Sequence, residues 1–529
     1  MNHAEIDQAA LAAQDPTGRL YNNDLRPAAP SERRWKTYSL FSLWMNDAHN
    51  VGNYTFAAGL FLLGLSPIQV TLGILGGALI IFGGCCLSGF MGHDTGAPYP
   101  VVSRLSWGIW GARFTALVRG IVAIAWYGIQ TFLASIALKV LLVRFFPGLE
   151  SLTEISFLGM DLLGWIAFLA LWAIQLVIVR KGMEAVRHFQ GLAGPAIWAV
   201  MIALAVWMLW QADWSISWTR GGGDTVLSSG QQWYQTFAAV GLTVGVLATL
   251  MLNFSDFARF SPSRADVVKG NAWGLPFNWT AFALTSVLVS AASVEVYGEA
   301  VLDPAALLEQ VDNEAILLAG SFVFVVATIG VNIVANFVSA AFDLSNLNPK
   351  RISFRTGGII ASAAALVSTP WNLYNSPQVI AYFLGGLGAL LGPFFGIMAV
   401  DYFLFRKARV SIPDLYEPSA KSIYYYRNGL NPLAVKAFVP SSVIALTLAL
   451  VPAFAVVAPF GWFIGAALGA VLYRVIARGK LPILPAGAPT TPAGSGEPEP
   501  PAVRVSPDVP PPGEEAAGPV RSEREKQHS

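Results

Sequence analysis

Charge is scarce in this chain, and cysteine and histidine nearly absent. Asp, Glu, Lys and Arg make up 12% of 529 residues, against roughly 25% in soluble domains, which excludes an ordinary soluble fold. Thirty-three basic residues face 32 acidic ones, so no basic surplus points to a nucleic-acid partner. The two cysteines, Cys85 and Cys86, are adjacent inside an apolar run. Neighbours on a helix point in different directions, which argues against a structural disulfide. Of the five histidines, His3 and His528 lie near the chain ends, His93 and His188 between apolar runs, and His49 alone within one. Without an HExxH motif, a cysteine ligand set or a nucleophile–base pair, an enzyme is not expected. No repeated filter sequence or ring of charge suggests a channel. Residues 1–34 lack an apolar core of the kind a cleavable leader carries.

What the chain has in abundance is apolar sequence, 54% of its residues. Runs of about 20 apolar residues recur along it, the pattern of many membrane-spanning helices. Twelve spans are expected, near 37–64, 68–91, 112–142, 160–179, 190–210, 233–257, 273–297, 316–341, 357–371, 376–404, 435–456 and 457–477. The loops alternate in charge. Arg33, Arg34 and Lys36 precede span 1; Arg104 and Arg113 follow span 2; Arg180, Lys181 and Arg187 follow span 4. Arg259, Arg264 and Lys269 follow span 6, and the pattern continues after spans 8 and 10. The positive-inside rule then places both termini in the cytoplasm of a multi-pass protein of the cell membrane. The expected layout is a cytoplasmic tail (1–34), a first five-helix repeat (35–210), a second (233–404), two further spans (435–477) and a disordered cytoplasmic tail (478–529) rich in Pro, Gly, Glu and Ser. The stretch up to about residue 30 has a similarly polar look.

Polar residues at membrane depth are costly, so those within spans are informative. Span 1 contains WMNDAHNVGNY, with Asn46, Asp47, His49, Asn50, Gly52 and Asn53. Span 3 carries Trp126 and Gln130, span 8 Asn332 and Asn336; each pair is spaced i, i+4, on one helix face. Span 6 carries Gly241 and Gly245, then Asn253, Ser255 and Asp256. Spans 1 and 6 thus both combine glycine with side-chain amides, five spans apart. Five is odd, so the second half enters the membrane from the opposite side. Interrupted helices at matching places in inverted halves point to the binding site of a secondary transporter. Gly52 is the expected point of unwinding. Trp126 offers a flat π-surface, and Asn50, Gln130 and Asn336 offer amide donors and acceptors, a set suited to a small planar ring with imide or amide edges.

The blocks RRWKTYSLFSLWMNDAHNVGNYTF, VRGIVAIAWYGIQT, LMLNFSDFARF and VNIVANFVSAAFDLSNLNPKRISFRTG, within a stretch from NNDLRP at 22–27 to PDLY at 413–416, resemble the nucleobase–cation symporter family of hydantoin, uracil, allantoin and cytosine permeases. The resemblance implies an all-α membrane protein with an inverted five-helix repeat, two extra C-terminal helices and alternating access around a midplane site. It implies that Trp126 stacks on the substrate ring, that Gln130, Asn50 and Asn336 hydrogen-bond it, and that Leu384 closes over it as a gate. Where many relatives carry a second stacking tryptophan, this chain has Leu247, leaving room for a bulkier or less flat ligand such as allantoin. The sodium site of coupled relatives maps onto the carbonyls of Asn46, His49 and Ala327 and onto span 8 positions Gly330 and Val331, which here supply no hydroxyl. Proton coupling through Asp47 or His49 is therefore an alternative. The expected partners are a small heterocycle, a coupling cation (Na+ or H+) and the lipid bilayer, with no cofactor, no nucleic acid and a monomeric state. Allantoin, uracil and hydantoin lead as substrates; cytosine or a purine, a thiamine-like compound, and an amino acid or amine are the competing classes.

Overall fold

A computed structural model describes residues 8–485 apart from 63, 219–226, 302–306, 308–313 and 375–376. The tail expected over 478–529 therefore falls largely outside the described residues. Ten helices among them are long and apolar enough to cross a membrane. Two expected spans take other forms: span 1 is two helices, Thr37–Ala48 and Val51–Leu62, and span 9 is the 14-residue helix Phe354–Val367. Span ends follow local chemistry. Ser66 and Gln69 form a capping box ahead of Pro67 at the start of span 2, and Ser228 with Gln231 repeats it at span 6. Span 4 begins at Leu162, not 160, because Met160 and Asp161 pair in a two-stranded antiparallel hairpin with Ser156 and Phe157. Asp161 then caps the helix, accepting from the Gly164 N–H at 2.8 Å.

The helix pairs that touch repeat with an offset of five. Span 1 packs on span 5 as span 6 packs on span 10; span 5 packs on span 8 as span 10 packs on span 3. Spans 2 and 6 approach closely because small residues line the seam: a Cβ on Gly77 would fall 2.5 Å from the Thr243 Cβ, and one on Gly92 2.5 Å from the Ser255 Cα. Spans 10, 11 and 12 pack on one another, and span 12 also packs on span 6.

The N-terminal stretch departs from expectation. Residues 8–36 are ordered and strapped across helix ends, with Leu11, Leu20 and Leu25 fully buried. Asn22 donates through Nδ2 to Ser345 Oγ at 2.9 Å and to the Pro349 carbonyl at 3.2 Å, and the Tyr416 hydroxyl donates to the Leu25 carbonyl. Polar composition hid this, because three leucines supply the anchor and the polar residues supply the hydrogen bonds. Arg104, which reads as a topology-setting loop charge, is wholly buried, donating to the Leu20 and Leu415 carbonyls and to Asn346 Oδ1.

Candidate functional site

The break in span 1 falls at His49 and Asn50. The first helix ends at Ala48, His49 leaves helical geometry (φ −94°, ψ 71°), and the second helix starts at Val51. This corrects the expectation that Gly52 unwinds: Gly52 lies inside the second helix. A membrane-buried break frees backbone groups that water cannot reach, each costing several kcal/mol. The asparagines satisfy them. Asn50 caps the second helix, its Oδ1 accepting from the Asn53 N–H at 3.0 Å, while its Nδ2 donates to the Asp47 carbonyl at 2.8 Å. Asn53 Nδ2 donates back to the carbonyls of Asp47 (2.8 Å) and Ala48 (3.1 Å). In span 6 the helix runs unbroken through Gly241 and Gly245 and turns only at Phe254, so its interruption is milder than expected and sits at its end. Gly241 instead makes room for the Pro459 carbonyl, which would lie 2.3 Å from a Cβ there.

Beside the span 1 break lies a cavity of about 240 Å³ whose lining includes Asn50, Trp126, Gln130, Leu247 and Asn336. The residues expected to bind substrate, drawn from spans 1, 3, 6 and 8, are thus brought to one chamber. It is smaller than the roughly 300–1,000 Å³ of drug-sized pockets, which suits a single small ring. Gln130 Nε2 donates to Asn50 Oδ1 at 3.3 Å. Gln130 Oε1 is buried and makes no hydrogen bond among the described residues. Gly52 lets these amides approach: a Cβ there would sit 3.2 Å from Asn50 Oδ1 and 3.5 Å from Gln130 Nε2.

Asn336 is oriented by a network the i, i+4 spacing did not reveal. Span 8 changes to a π-turn over Asn332–Val338, a feature that often marks functional sites. Asn336 Nδ2 donates to Asn332 Oδ1 at 2.9 Å. Asn332 is itself fixed, its Nδ2 donating to Thr131 Oγ1 and Gln175 Oε1, both at 2.8 Å. Asn332 thus positions Asn336, whose carbonyl oxygen is the end left for a ligand. Other wall residues escaped sequence reasoning: Phe56, Ile129, Leu133, Thr249, Ala335 and Tyr374. Apolar residues in apolar spans carry no signal of which face meets a cavity. Trp126 also meets Phe383 of span 10, ring centroids 5.8 Å apart. The backbone of Leu384 belongs to the helix Pro377–Ala399, and its side chain lies outside the described residues.

The side chains at the positions tied to a cation have different surroundings. Val331 lines the cavity with its isopropyl group. Ala327 is fully buried. Gly330 faces Asn46, whose Oδ1 would lie 2.5 Å from a Cβ on that glycine. His49 sits in an aromatic box, its Nδ1 hydrogen-bonded to the Tyr54 hydroxyl at 2.8 Å and its ring edge-on to Trp198 at 4.4 Å. Asp47 is buried, lines the cavity and has an Oδ2 without a hydrogen-bond partner among the described residues. No group of three or more His, Cys, Asp or Glu side chains suited to a metal occurs among the described residues.

Residues 27–465 match the family described as permease for cytosine/purines, uracil, thiamine, allantoin. The allantoin permease of Bacillus subtilis (strain 168) is 36% identical over 475 residues, covering 88% of this chain and 95% of that protein. The purine-uracil permease NCS1 of Arabidopsis thaliana is 32% identical, covering 83% and 73%. Among solved structures, a nucleobase-cation-symport-1 family transporter in a closed conformation with bromovinylhydantoin bound superposes with a TM-score of 0.70 at 24% identity, over 87% of this chain and 96% of that one. A Na+-coupled sialic acid symporter shares the fold at a TM-score of 0.55 and 12% identity. A chamber at a broken helix, inside paired five-helix repeats, is one architecture of secondary transporters, and with these matches the chain belongs to the permease family for cytosine/purines, uracil, thiamine and allantoin.

Proposed function

We propose that the chain imports a cyclic ureide, allantoin before uracil or hydantoin, by cation symport with alternating access. The observation that carries this reading is the buried, unpartnered Gln130 Oε1 in a small chamber walled by Trp126. An unmatched buried acceptor costs about 1–3 kcal/mol, which a ligand N–H recovers, so the site favours a ring rich in N–H groups. Asn336 Oδ1 offers a second acceptor, and the remaining N–H of Asn50 can meet a ring carbonyl. Trp126 packs against the ring face. Leu247, buried and aliphatic, leaves space for a non-planar substituent such as the ureido arm of allantoin. The likeness to an allantoin permease over most of both chains supports the same choice. Leu384 closes the chamber, both termini face the cytoplasm as the basic loops dictate, and the monomer is the working unit.

The test is uptake of labelled allantoin into proteoliposomes, with uracil, hydantoin, cytosine, adenine and thiamine as competitors. Saturable allantoin uptake, inhibited best by unlabelled allantoin and hydantoin, is expected. Absent allantoin uptake, with labelled adenine or thiamine taken up by the same proteoliposomes, overturns the ureide reading.

A further inference from the structure

The chamber lies on a seam between two packed groups of helices. Spans 1, 2, 6 and 7 pack on one another, as do spans 3, 4, 8 and 9. The chamber takes walls from spans 1 and 6 of one group and from spans 3 and 8 of the other. Toward the end that the N-terminal strap covers, the same seam holds a second cavity, of about 360 Å³. Its walls include Arg259 after span 6, Phe342 of span 8 and Phe354 of span 9, with Asp24 of the strap. Asp24 bonds to both groups. Its carbonyl accepts from Arg259 Nη2 at 3.1 Å, and its carboxylate accepts from the Phe354 N–H at 2.8 Å. That N–H is the first of the span 9 helix, one of the donors a helix leaves without an internal partner. On the N-terminal side of Asp24, Asn22 donates to Ser345 Oγ and to the Pro349 and Ile352 carbonyls, around the turn between spans 8 and 9. On its C-terminal side the Ala28 N–H donates to the Gly96 carbonyl at 2.8 Å, and Arg33 Nη1 to the His93 carbonyl at 2.9 Å, both at the end of span 2. The strap thus crosses the seam at Asp24. Arg259 crosses it as well, its guanidinium 4.8 Å from the Phe342 ring centroid.

We propose that this second cavity is the inner mouth through which the transported ureide leaves, and that Asp24 is the latch that keeps it shut. The proposal deepens the transporter reading above and rests on it for the direction of transport. Alternating access moves one packed group against the other around a fixed site. Groups that part at the strap end connect the chamber with the side where the basic loops lie, and every contact across the seam must stretch or break. Asp24 is half-buried, so water can take over both ends of its bond to Phe354. The latch then opens without stranding a polar group. The walls also suit a ureide in passage. Arg259, whose Nε has no hydrogen-bond partner among the described residues, offers donors to ring carbonyls. The Asp24 carboxylate accepts from ring N–H groups, and Phe342 and Phe354 present flat faces. Asp24 is a positioning residue: it sets where the helix ends stand.

The test uses the full-length protein with Phe354→Cys as a reporter. That side chain lines the cavity, and the backbone N–H that Asp24 holds is kept. Maleimide labelling in detergent is followed by mass spectrometry, with the buried Cys85 and Cys86 as controls for loosening elsewhere. Adding Asp24→Ala is expected to speed reporter labelling about 2–10-fold, the factor that one lost hydrogen bond corresponds to. Cys85 and Cys86 are expected to stay unlabelled. Asp24→Asn keeps an acceptor for the N–H, and its reporter rate is expected to match that of Asp24. In proteoliposomes, allantoin uptake by the reporter protein is expected to be lost once its thiol carries the maleimide. A reporter rate that Asp24→Ala leaves unchanged, or raises only together with Cys85 and Cys86, overturns the latch. Uptake that survives labelling overturns the exit path. If the unlabelled protein does not transport allantoin, the substrate reading falls while the labelling rates still decide the role of Asp24.

Discussion

Asn50 offers two acceptor sites and two N–H groups, and its neighbours use three of the four. Its principal work is therefore to hold the broken helix and to orient Gln130, with one N–H left for a ligand. That distribution shifts the weight of recognition to Gln130 and Asn336. Trp126→Ala and Asn336→Ala are expected to abolish uptake while the protein still reaches the membrane. Normal transport by either variant in membrane-localised protein removes it from the site. Gly52→Ala tests the close approach of the amides. The added methyl must push against Asn50 Oδ1 and Gln130 Nε2, a strain of about 1–3 kcal/mol, and substrate Kd is expected to weaken about tenfold or more. A variant with unchanged Kd shows that the amides do not need their present spacing.

The break in span 1 is a self-capped element, and Asn53 shares the capping with Asn50. Asn53→Leu removes the side-chain donor of the Ala48 carbonyl and leaves the Asp47 carbonyl with Asn50 Nδ2 alone. With about 0.5–1.5 kcal/mol for each buried hydrogen bond lost, a lower unfolding midpoint in detergent is expected, and Asn53→Gln is expected to recover part of it. A midpoint equal to wild type for Asn53→Leu means other donors reach those carbonyls. The π-turn of span 8 follows the same logic. Asn332 was visible in the sequence as one of a pair sharing a face with Asn336, yet it points into spans 3 and 4 while Asn336 lines the chamber. Spacing alone assumes a regular α-helix, and the added residue per turn cannot be read from composition.

Across the whole molecule, a buried ion pair lies toward the end of the bundle that the N-terminal strap covers. Arg119 of span 3 stands 3.7 Å from Asp343 of span 8, both essentially inaccessible, and donates to the Ala335 carbonyl at 3.1 Å. Removing one partner strands the other charge. Arg119→Met is expected to destabilise by about 3–5 kcal/mol, while Arg119→Met with Asp343→Leu recovers much of the loss. Equal midpoints for the single and double variants would deny the pairing. The sequence by itself determined the apolar runs, the offset between halves, the family and the amides that line the chamber, because membrane burial makes every polar residue in an apolar run conspicuous. It misplaced the unwinding point and took the N-terminal strap for a loose tail. Only the tertiary structure decided those, along with the partners of Asn46, Asn53 and Asn332. A side-chain amide is chemically the same whether it caps a helix, bridges two spans or awaits a ligand. Which it does depends on the carbonyls that folding brings within about 3 Å of it.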